Sequence, residues 1–147
     1  MTRVLSRPLA AALLVAIVAA CSASPASAPA ASAGASAPAA SGNRPSSAAV
    51  VTIVKPTSGE SVTGTMVHVV LTLTGAQIVS ATTTNIRPDQ GHVHLYVDNV
   101  LVSMNYGLEQ DLPVHAGTYV LKAEFVAADH APFNPRVWSP EVFFTVK

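Results

Sequence analysis

The sequence predicts an all-β fold, an antiparallel β-sandwich of about seven short strands. Apolar and polar residues alternate in several segments of residues 50–147, which is the period of a strand with one face in a core. Clusters of Gly, Pro, Asn and Asp separate these segments, and none shows capped helical periodicity. The predicted strands cover residues 50–54, 67–74, 77–86, 91–98, 100–104, 108–112, 118–128 and 138–146, of which the Thr-rich segment 77–86 is the weakest.

The first 20 residues predict a lipoprotein signal peptide. Arg3 and Arg7 precede an apolar run that is too short to span a bilayer permanently but suits a signal-peptide core. The run ends in VAAC, which resembles the cleavage and lipidation site of bacterial lipoproteins, with Cys21 as its cysteine. The resemblance implies removal of residues 1–20, acylation of Cys21, and a lipid-anchored protein on the extracytoplasmic side of the cell membrane. An ordinary secretory signal that happens to end at a cysteine is the alternative.

Residues 21–49 predict a disordered tether. After Cys21 the segment contains Ala, Ser, Pro and Gly apart from Asn43 and Arg44, so it has few side chains able to offset the entropy of ordering. A coil of this length reaches about 30 Å. Without Arg3 and Arg7, six of the eight basic residues remain against eight acidic ones, and this balance predicts no nucleic-acid partner.

Residues 91–104, GHVHLYVDNVLVSM, predict a β-hairpin. Asp98-Asn99 supplies residues that tolerate positive φ in a two-residue turn. Pairing of Val97 with Val100, Leu95 with Val102 and Val93 with Met104 places all apolar side chains of both strands on the core face. His92, His94 and Tyr96 then point outward.

Two resemblances refine the fold. HAGTYVL resembles the tyrosine corner of immunoglobulin-like domains, which implies that Tyr119 is buried and that its hydroxyl bonds to the backbone just upstream. TIVKPTSGESVTG, GHVHLYVDN, AGTYVLKAEFVAADHAPFNP and EVFFTV together resemble a family of exported immunoglobulin-like modules with a Gly-His-x-His strand and an Asp-His-x-Pro turn. The family has no settled activity, so the resemblance implies an immunoglobulin-like antiparallel β-sandwich over residues 50–147 and singles out His92, His94 and His130.

The three histidines form a candidate Cu or Zn site. The strand of residues 91–98 is expected to run antiparallel beside residues 118–128, so that His92 and His94 lie near the end of the second strand. His130 shares their outward face if extended structure continues past Ala128. Neutral imidazole suits both metals. Five other residues are assigned other roles. Met104 is assigned to the core rather than to an axial metal ligand, Asp98 to the turn rather than to metal, and Trp138 to packing rather than to a ligand platform. His68 and His115 are assigned to the solvated surface.

The sequence predicts a binding function rather than an enzyme, because no nucleophile with an adjacent base is present and Cys21 belongs to the anchor. The favoured hypothesis is a membrane-tethered binding or scaffold module that presents the outward face of the His92/His94 strand to an unidentified protein partner. The residues of that partner face are Tyr96, Val120, Val126 and Phe143. The alternative is copper or zinc handling through His92, His94 and His130.

Overall fold

A computed structural model describes residues 43–147, which form ten β-strands. The strands are β1 (Val50–Lys55), β2 (Glu60–Val62), β3 (Met66–Thr74), β4 (Gln77–Ile78), β5 (Gln90–Val97), β6 (Val100–Asn105), β7 (Glu109–Pro113), β8 (Gly117–Ala127), β9 (Pro132–Trp138) and β10 (Val142–Val146). The signal peptide, Cys21 and most of the predicted tether lie outside the described residues. Among residues 43–147 no helix has the length and apolar character needed to cross a membrane.

The strands form two sheets, and the prediction of an all-β sandwich is confirmed. One sheet has the order β1-β3-β7, and the other runs β2-β10-β8-β5-β4, with β6 added to β5 and β9 added to β8. All pairings are antiparallel except those of β10 with β2 and of β4 with β5. The central pair is β5 with β8, in which Gly91 lies opposite Ala127. The start of β5 is therefore beside the end of β8, as the sequence predicts.

The core lies between the sheets and follows the alternation in the sequence. Val69, Leu95, Leu121 and Phe125 are fully buried, and each comes from the inward set of its strand. Burial of one such side chain contributes roughly 1.5–3 kcal/mol. This core holds the β5–β8 pair in place, and with it the residues on the other face of that pair.

The β5–β6 hairpin has the predicted turn but not the predicted register. Asp98 and Asn99 have φ values of 50° and 68°, as a two-residue turn of this kind requires. A β-bulge follows in β6, so that Leu95 pairs with Ser103 and His94 with Met104. One extra residue in a strand moves every later side chain to the opposite face. The assignment of Val102 and Met104 to the core is therefore wrong, and these side chains are 46% and 55% exposed.

Three other strand predictions differ from the structure. β9 was not predicted because Pro132 and Pro135 are typical of turns. It pairs with the end of β8 at only three positions, so prolines are tolerated in it. The predicted strand 138–146 is divided, since β9 ends at Trp138 and β10 begins at Val142. The predicted strand 77–86 is reduced to Gln77–Ile78.

The ordered domain begins before Val50. The Arg44 guanidinium binds both carboxylate oxygens of Asp129 at 2.6 and 2.7 Å. The Asn134 amide donates to the Pro45 carbonyl at 3.0 Å, and Ala49 is buried. The prediction of disorder up to residue 49 is therefore wrong for residues 44–49. The Arg44 guanidinium and the Pro45 carbonyl in this stretch bind to the sandwich.

Tyr119 makes the contact that its tyrosine-corner resemblance implies. Its hydroxyl donates to the His115 carbonyl at 2.9 Å, and its ring stacks on Phe144 with centroids 5.4 Å apart. The ring is only half-buried, however, so the expected full burial of this side chain is wrong. Water therefore has access to the position of this hydroxyl.

Candidate metal centre

Three histidine rings meet at the end of the sheet where β5 begins and β8 ends. His92 and His94 are two residues apart on β5 and share the face opposite to Val93 and Leu95. In the ladder His92 lies opposite Val126. His130 follows β8 by three residues and returns over this face.

His130 reaches the cluster through a turn and not through the extended strand that was expected. β8 ends at Ala127, whose carbonyl accepts the His130 amide at 2.9 Å and whose amide donates to the Ala131 carbonyl at 3.1 Å. His130 itself has a φ of 64°, in the left-handed region. The sequence reasoning thus placed His130 near the other two histidines for the wrong reason.

The distances suit a metal ion. His92 Nε2 is 2.7 Å and His94 Nε2 is 3.4 Å from His130 Nδ1, and the three candidate ligand atoms all lie within 4.8 Å of one another. Tetrahedral coordination with metal–nitrogen bonds of about 2.0–2.1 Å separates ligand nitrogens by roughly 3.3 Å. The His94–His130 spacing already matches, and the His92–His130 spacing needs to widen by only about half an ångström. The shorter distance is that of a hydrogen bond.

The environment keeps His92 and His94 neutral. Both side chains are essentially buried, with 0% and 1% exposure. Burial is the main cause that lowers the pKa of each to about 4, and the neighbouring charge of His130 lowers both further. Metal ions bind the unprotonated imidazole, so both rings are in the ligating form at neutral pH.

The lone pairs of the cluster favour a positive charge between the rings. His92 Nδ1 and His94 Nδ1 are buried without a hydrogen-bond partner among the described residues. When these atoms carry the ring protons, both Nε2 lone pairs point towards His130 Nδ1. On the far side of His130, Nε2 lies 3.3 Å from both the Thr82 and the Tyr106 hydroxyl groups. These contacts orient the ring with Nδ1 inward, as outer partners do at metal sites.

The Arg44–Asp129 ion pair fixes the turn that carries His130. The guanidinium also donates to the Ala131 and Pro132 carbonyls, both at 3.0 Å, so it binds both sides of His130. Its hydrogen bonds hold the pKa of Asp129 below the usual value, which keeps the carboxylate charged. One sequence signal points to this role, since Arg44 is the lone charged residue of the low-complexity segment.

Comparisons with known proteins support the fold. No protein-family profile matches the sequence, and no curated protein matches it significantly. Among solved structures, the chain is similar to one described as "Structures of Clostridium thermocellum CbhA fibronectin(III)-like modules", with a TM-score of 0.50 and 25% identity. The likeness covers 67% of this chain and 46% of that one, so this chain spans less than half of its neighbour's length. This similarity agrees with the two-sheet β-sandwich of the described residues. In this chain the sandwich carries three histidines close enough to hold a metal ion.

A buried ion pair adjoins the histidines on the same face of the sheet. Glu124, opposite His94 in the ladder, is fully buried and accepts two hydrogen bonds of 2.6 Å from Arg136. Tyr96 donates to the same carboxylate at 3.0 Å. Burial and the Glu124 charge raise the pKa of Tyr96, so this hydroxyl remains a donor. The sequence signal that was missed is a Glu within the otherwise apolar segment AEFVAA.

The predicted partner face is only partly exposed. Tyr96 and Val126 are 1% and 0% exposed, so their assignment to an outward surface is wrong. The Trp138 ring packs edge-on against Tyr96 at 5.1 Å, and Pro132 pairs with Val126 at the end of β8. Phe143 is 49% exposed and pairs with the half-buried Val120.

The remaining sequence-predicted residues have structural contacts. The Asp98 carboxylate accepts the Val120 amide at 2.9 Å, in agreement with its assignment to the turn. Trp138 packs between Tyr96 and the cations of Arg136 and Lys122, as its assignment to packing expects. His115 is exposed. His68 is also exposed but is not a lone residue, because its Nδ1 is 2.8 Å from the Asp111 carboxylate.

Proposed function

We propose that this domain binds a copper or zinc ion through His92 Nε2, His94 Nε2 and His130 Nδ1. The observation that carries the proposal is the convergence of these three ring nitrogens, with separations of 2.7 and 3.4 Å from His130 Nδ1 to the other two. Imidazole nitrogen is a ligand that both metals accept. The ion would displace the proton held between His92 and His130, so binding is accompanied by proton release.

The half-buried position of His130 supports metal exchange rather than a purely structural role. A ligand that water can reach allows an ion to enter and leave, whereas structural zinc sites are closed. The fibronectin(III)-like fold agrees with a binding or scaffold role rather than with catalysis. The proposed activity is therefore reversible metal holding, with no reaction on an organic substrate.

The proposed setting is the extracytoplasmic face of the cell membrane. The VAAC sequence supports a lipid anchor at Cys21, and the Ala/Ser/Pro-rich segment after it supports a tether. A metal site on such a domain would serve ions outside the cytoplasm. The near-balanced charge of the chain supports no nucleic-acid partner.

A protein-binding role is the second candidate function. It is favoured by the fibronectin(III)-like fold and by Phe143, which is 49% exposed beside Val120. Exposed aromatic residues are common at the centre of protein interfaces. This surface is on the part of β8 that pairs with β10, and the histidine cluster is at the other end of β8.

Metal titration of the full-length chain tests the proposal. The chain carries the substitution Cys21→Ser, which removes a thiol that could bind metal. Binding of Zn(II) or Cu(II) to the native state should raise the free energy of unfolding by roughly 2.7 kcal/mol at a hundredfold excess over Kd. His92→Ala, His94→Ala and His130→Ala should each abolish most of that gain. The matched controls are His68→Ala and His115→Ala, exposed histidines that should keep it. No gain in the parent chain, or equal losses in the controls, would exclude the site.

A further inference from the structure

We infer that the Met104 thioether is the fourth ligand of this centre and that it makes the site selective for copper, including Cu(I). The inference rests on the proposed function, because it assigns a metal to the three-histidine site. Met104 lies directly opposite His94 in the β5–β6 ladder. Directly opposed residues of antiparallel strands share a face, with Cβ atoms about 4.5–5.5 Å apart. Met104 is thus on the histidine face of the sheet.

The residue that follows β6 supports this placement. Tyr106 comes two residues after Met104, just past the end of β6. Its ring contacts the cluster directly, with centroids 5.1 Å from His92 and 6.2 Å from His130. The end of β6 and the residue just past it therefore border the cluster.

The other lateral neighbour of His94 is not available to a metal. Glu124, opposite His94 on β8, already accepts two hydrogen bonds from Arg136 and one from Tyr96. Its charge is paired within a buried network, and withdrawal of the carboxylate would leave the guanidinium without its partner. Of the two residues that flank His94 in the sheet, Met104 is the one that is free to reach an ion.

Packing does not account for Met104. Its side chain is 55% exposed, and the β-bulge that turns it out also places the polar Ser103 on the inner side, where it bonds to Gln110. A long, unbranched thioether on this surface can reach the cluster by rotation about its side-chain bonds. Because the core does not hold this side chain, it is free to turn towards the three imidazoles.

The thioether sulfur then determines which metal the site prefers. Thioether ligands are soft and select Cu(I), whereas zinc is held by Cys, His and carboxylate ligands. Three imidazoles without the thioether would accept zinc and copper alike. Met104 is therefore the residue that distinguishes the two metals at this site.

Competition for Cu(I) tests this assignment. The full-length chain with Cys21→Ser is titrated without oxygen against the Cu(I) chelator bicinchoninate, and Zn(II) affinity is measured in parallel. Met104→Leu, and Met104→Gln as a second variant, should weaken Cu(I) binding by about 10–100-fold, the range for loss of a metal-supporting group. Zn(II) affinity should change by less than about twofold, since thioether is not a zinc ligand. The matched control is Met66→Leu, an exposed methionine of β3 in the other sheet, which should change neither affinity.

The outcomes separate this inference from the function on which it rests. Absence of both Cu(I) and Zn(II) binding in the parent chain would reject the three-histidine site itself. Metal binding that Met104→Leu and Met104→Gln leave unchanged, or weaken equally for both metals, would reject the thioether ligand and keep the histidines. X-ray absorption of the Cu(I) form should show a sulfur neighbour at about 2.3 Å in the parent chain and in Met66→Leu, and none in Met104→Leu.

Discussion

Arg44 and Asp129 form a two-bond ion pair, with nitrogen–oxygen distances of 2.6 and 2.7 Å, between the start of the described residues and the turn before β9. Asp129 directly precedes His130, so the pair fixes the backbone from which the third imidazole extends. The side chains are 15% and 25% exposed, which limits screening by water. The ion pair is therefore a positioning element for the candidate metal centre.

Arg44→Gln should weaken metal binding without removing a ligand. Loss of a group that orients a metal ligand typically lowers affinity by about 10–100-fold. Isothermal titration with Zn(II) measures the change. The control is Arg87→Gln, which breaks the exposed Arg87–Asp89 pair and should leave Kd unaltered. Equal Kd values for Arg44→Gln and the parent chain would show that the turn holds His130 without Arg44.

Glu124→Gln should strongly destabilise the domain. The change leaves Arg136 without the carboxylate that it binds twice, and removal of one member of a buried ion pair costs about 3–5 kcal/mol. Urea unfolding at pH 7 measures the loss. Glu141→Gln, in an exposed 4.0 Å contact with Lys122, is the control and should stay within about 0.5 kcal/mol. A loss below 1 kcal/mol in Glu124→Gln would contradict a tightly coupled network.

Tyr119→Phe should lower the free energy of unfolding by less than the loss of a buried hydroxyl would. The hydroxyl donates to the His115 carbonyl, but the side chain is half-buried and water can replace part of the bond. We expect a loss of about 0.5–1.5 kcal/mol in denaturant melts. His115→Ala keeps the accepting carbonyl and should have little effect. If the two variants lose the same amount, the hydroxyl bond is not the source of the loss.

The metal-free domain should lose stability as the pH falls from about 6.5 to about 4. The pKa values of His92 and His94 are lowered to about 4 in the folded state, against an ordinary value of 6.5. In that window the unfolded chain binds more protons than the folded one, so acid favours unfolding; the contribution is complete above 6.5. The melting temperature should fall more steeply with falling pH in the parent chain than in the double variant His92→Gln/His94→Gln. Parallel curves would refute the assignment.

Cys21→Ser should release the protein from membranes or block its processing. The prediction depends on the VAAC sequence, since acylation requires the thiol. Membrane fractionation and the mass of the mature chain provide the measurement, with Ser22→Ala as a control that keeps the cysteine. Unchanged fractionation and unchanged mass in Cys21→Ser would exclude a lipid anchor at this residue.

Strand periodicity was sufficient to predict the fold and the orientation of His92 and His94. Val93 and Leu95 face the core, so the two histidines had to face the other way. Their burial was not predictable in the same manner. That burial depends on the turn at His130, the proline-containing β9 and the segment that carries Thr82. None of these has a periodic sequence pattern.

The position of Met104 was mispredicted for a more specific reason. Alternation alone favoured Val100, Val102 and Met104 on one inner face. A regular ladder without a bulge was consistent with this pattern. The bulge instead leaves Val102 exposed and turns Ser103 inward to Gln110. A side-chain hydrogen bond between residues on different strands is a tertiary interaction, and local apolar patterning does not report it.

The bulge at Val102 also changes how this centre should be recognised in other sequences. Because the bulge absorbs one residue, Met104 stands at the fifth position after the Asp98-Asn99 turn, and a hairpin without Val102 would place the same methionine opposite the same histidine at the fourth position. A motif of fixed length would miss one of the two forms. A search pattern for this ligand set should therefore start from the His-x-His strand and its two-residue turn, and should allow a gap of one residue before the methionine.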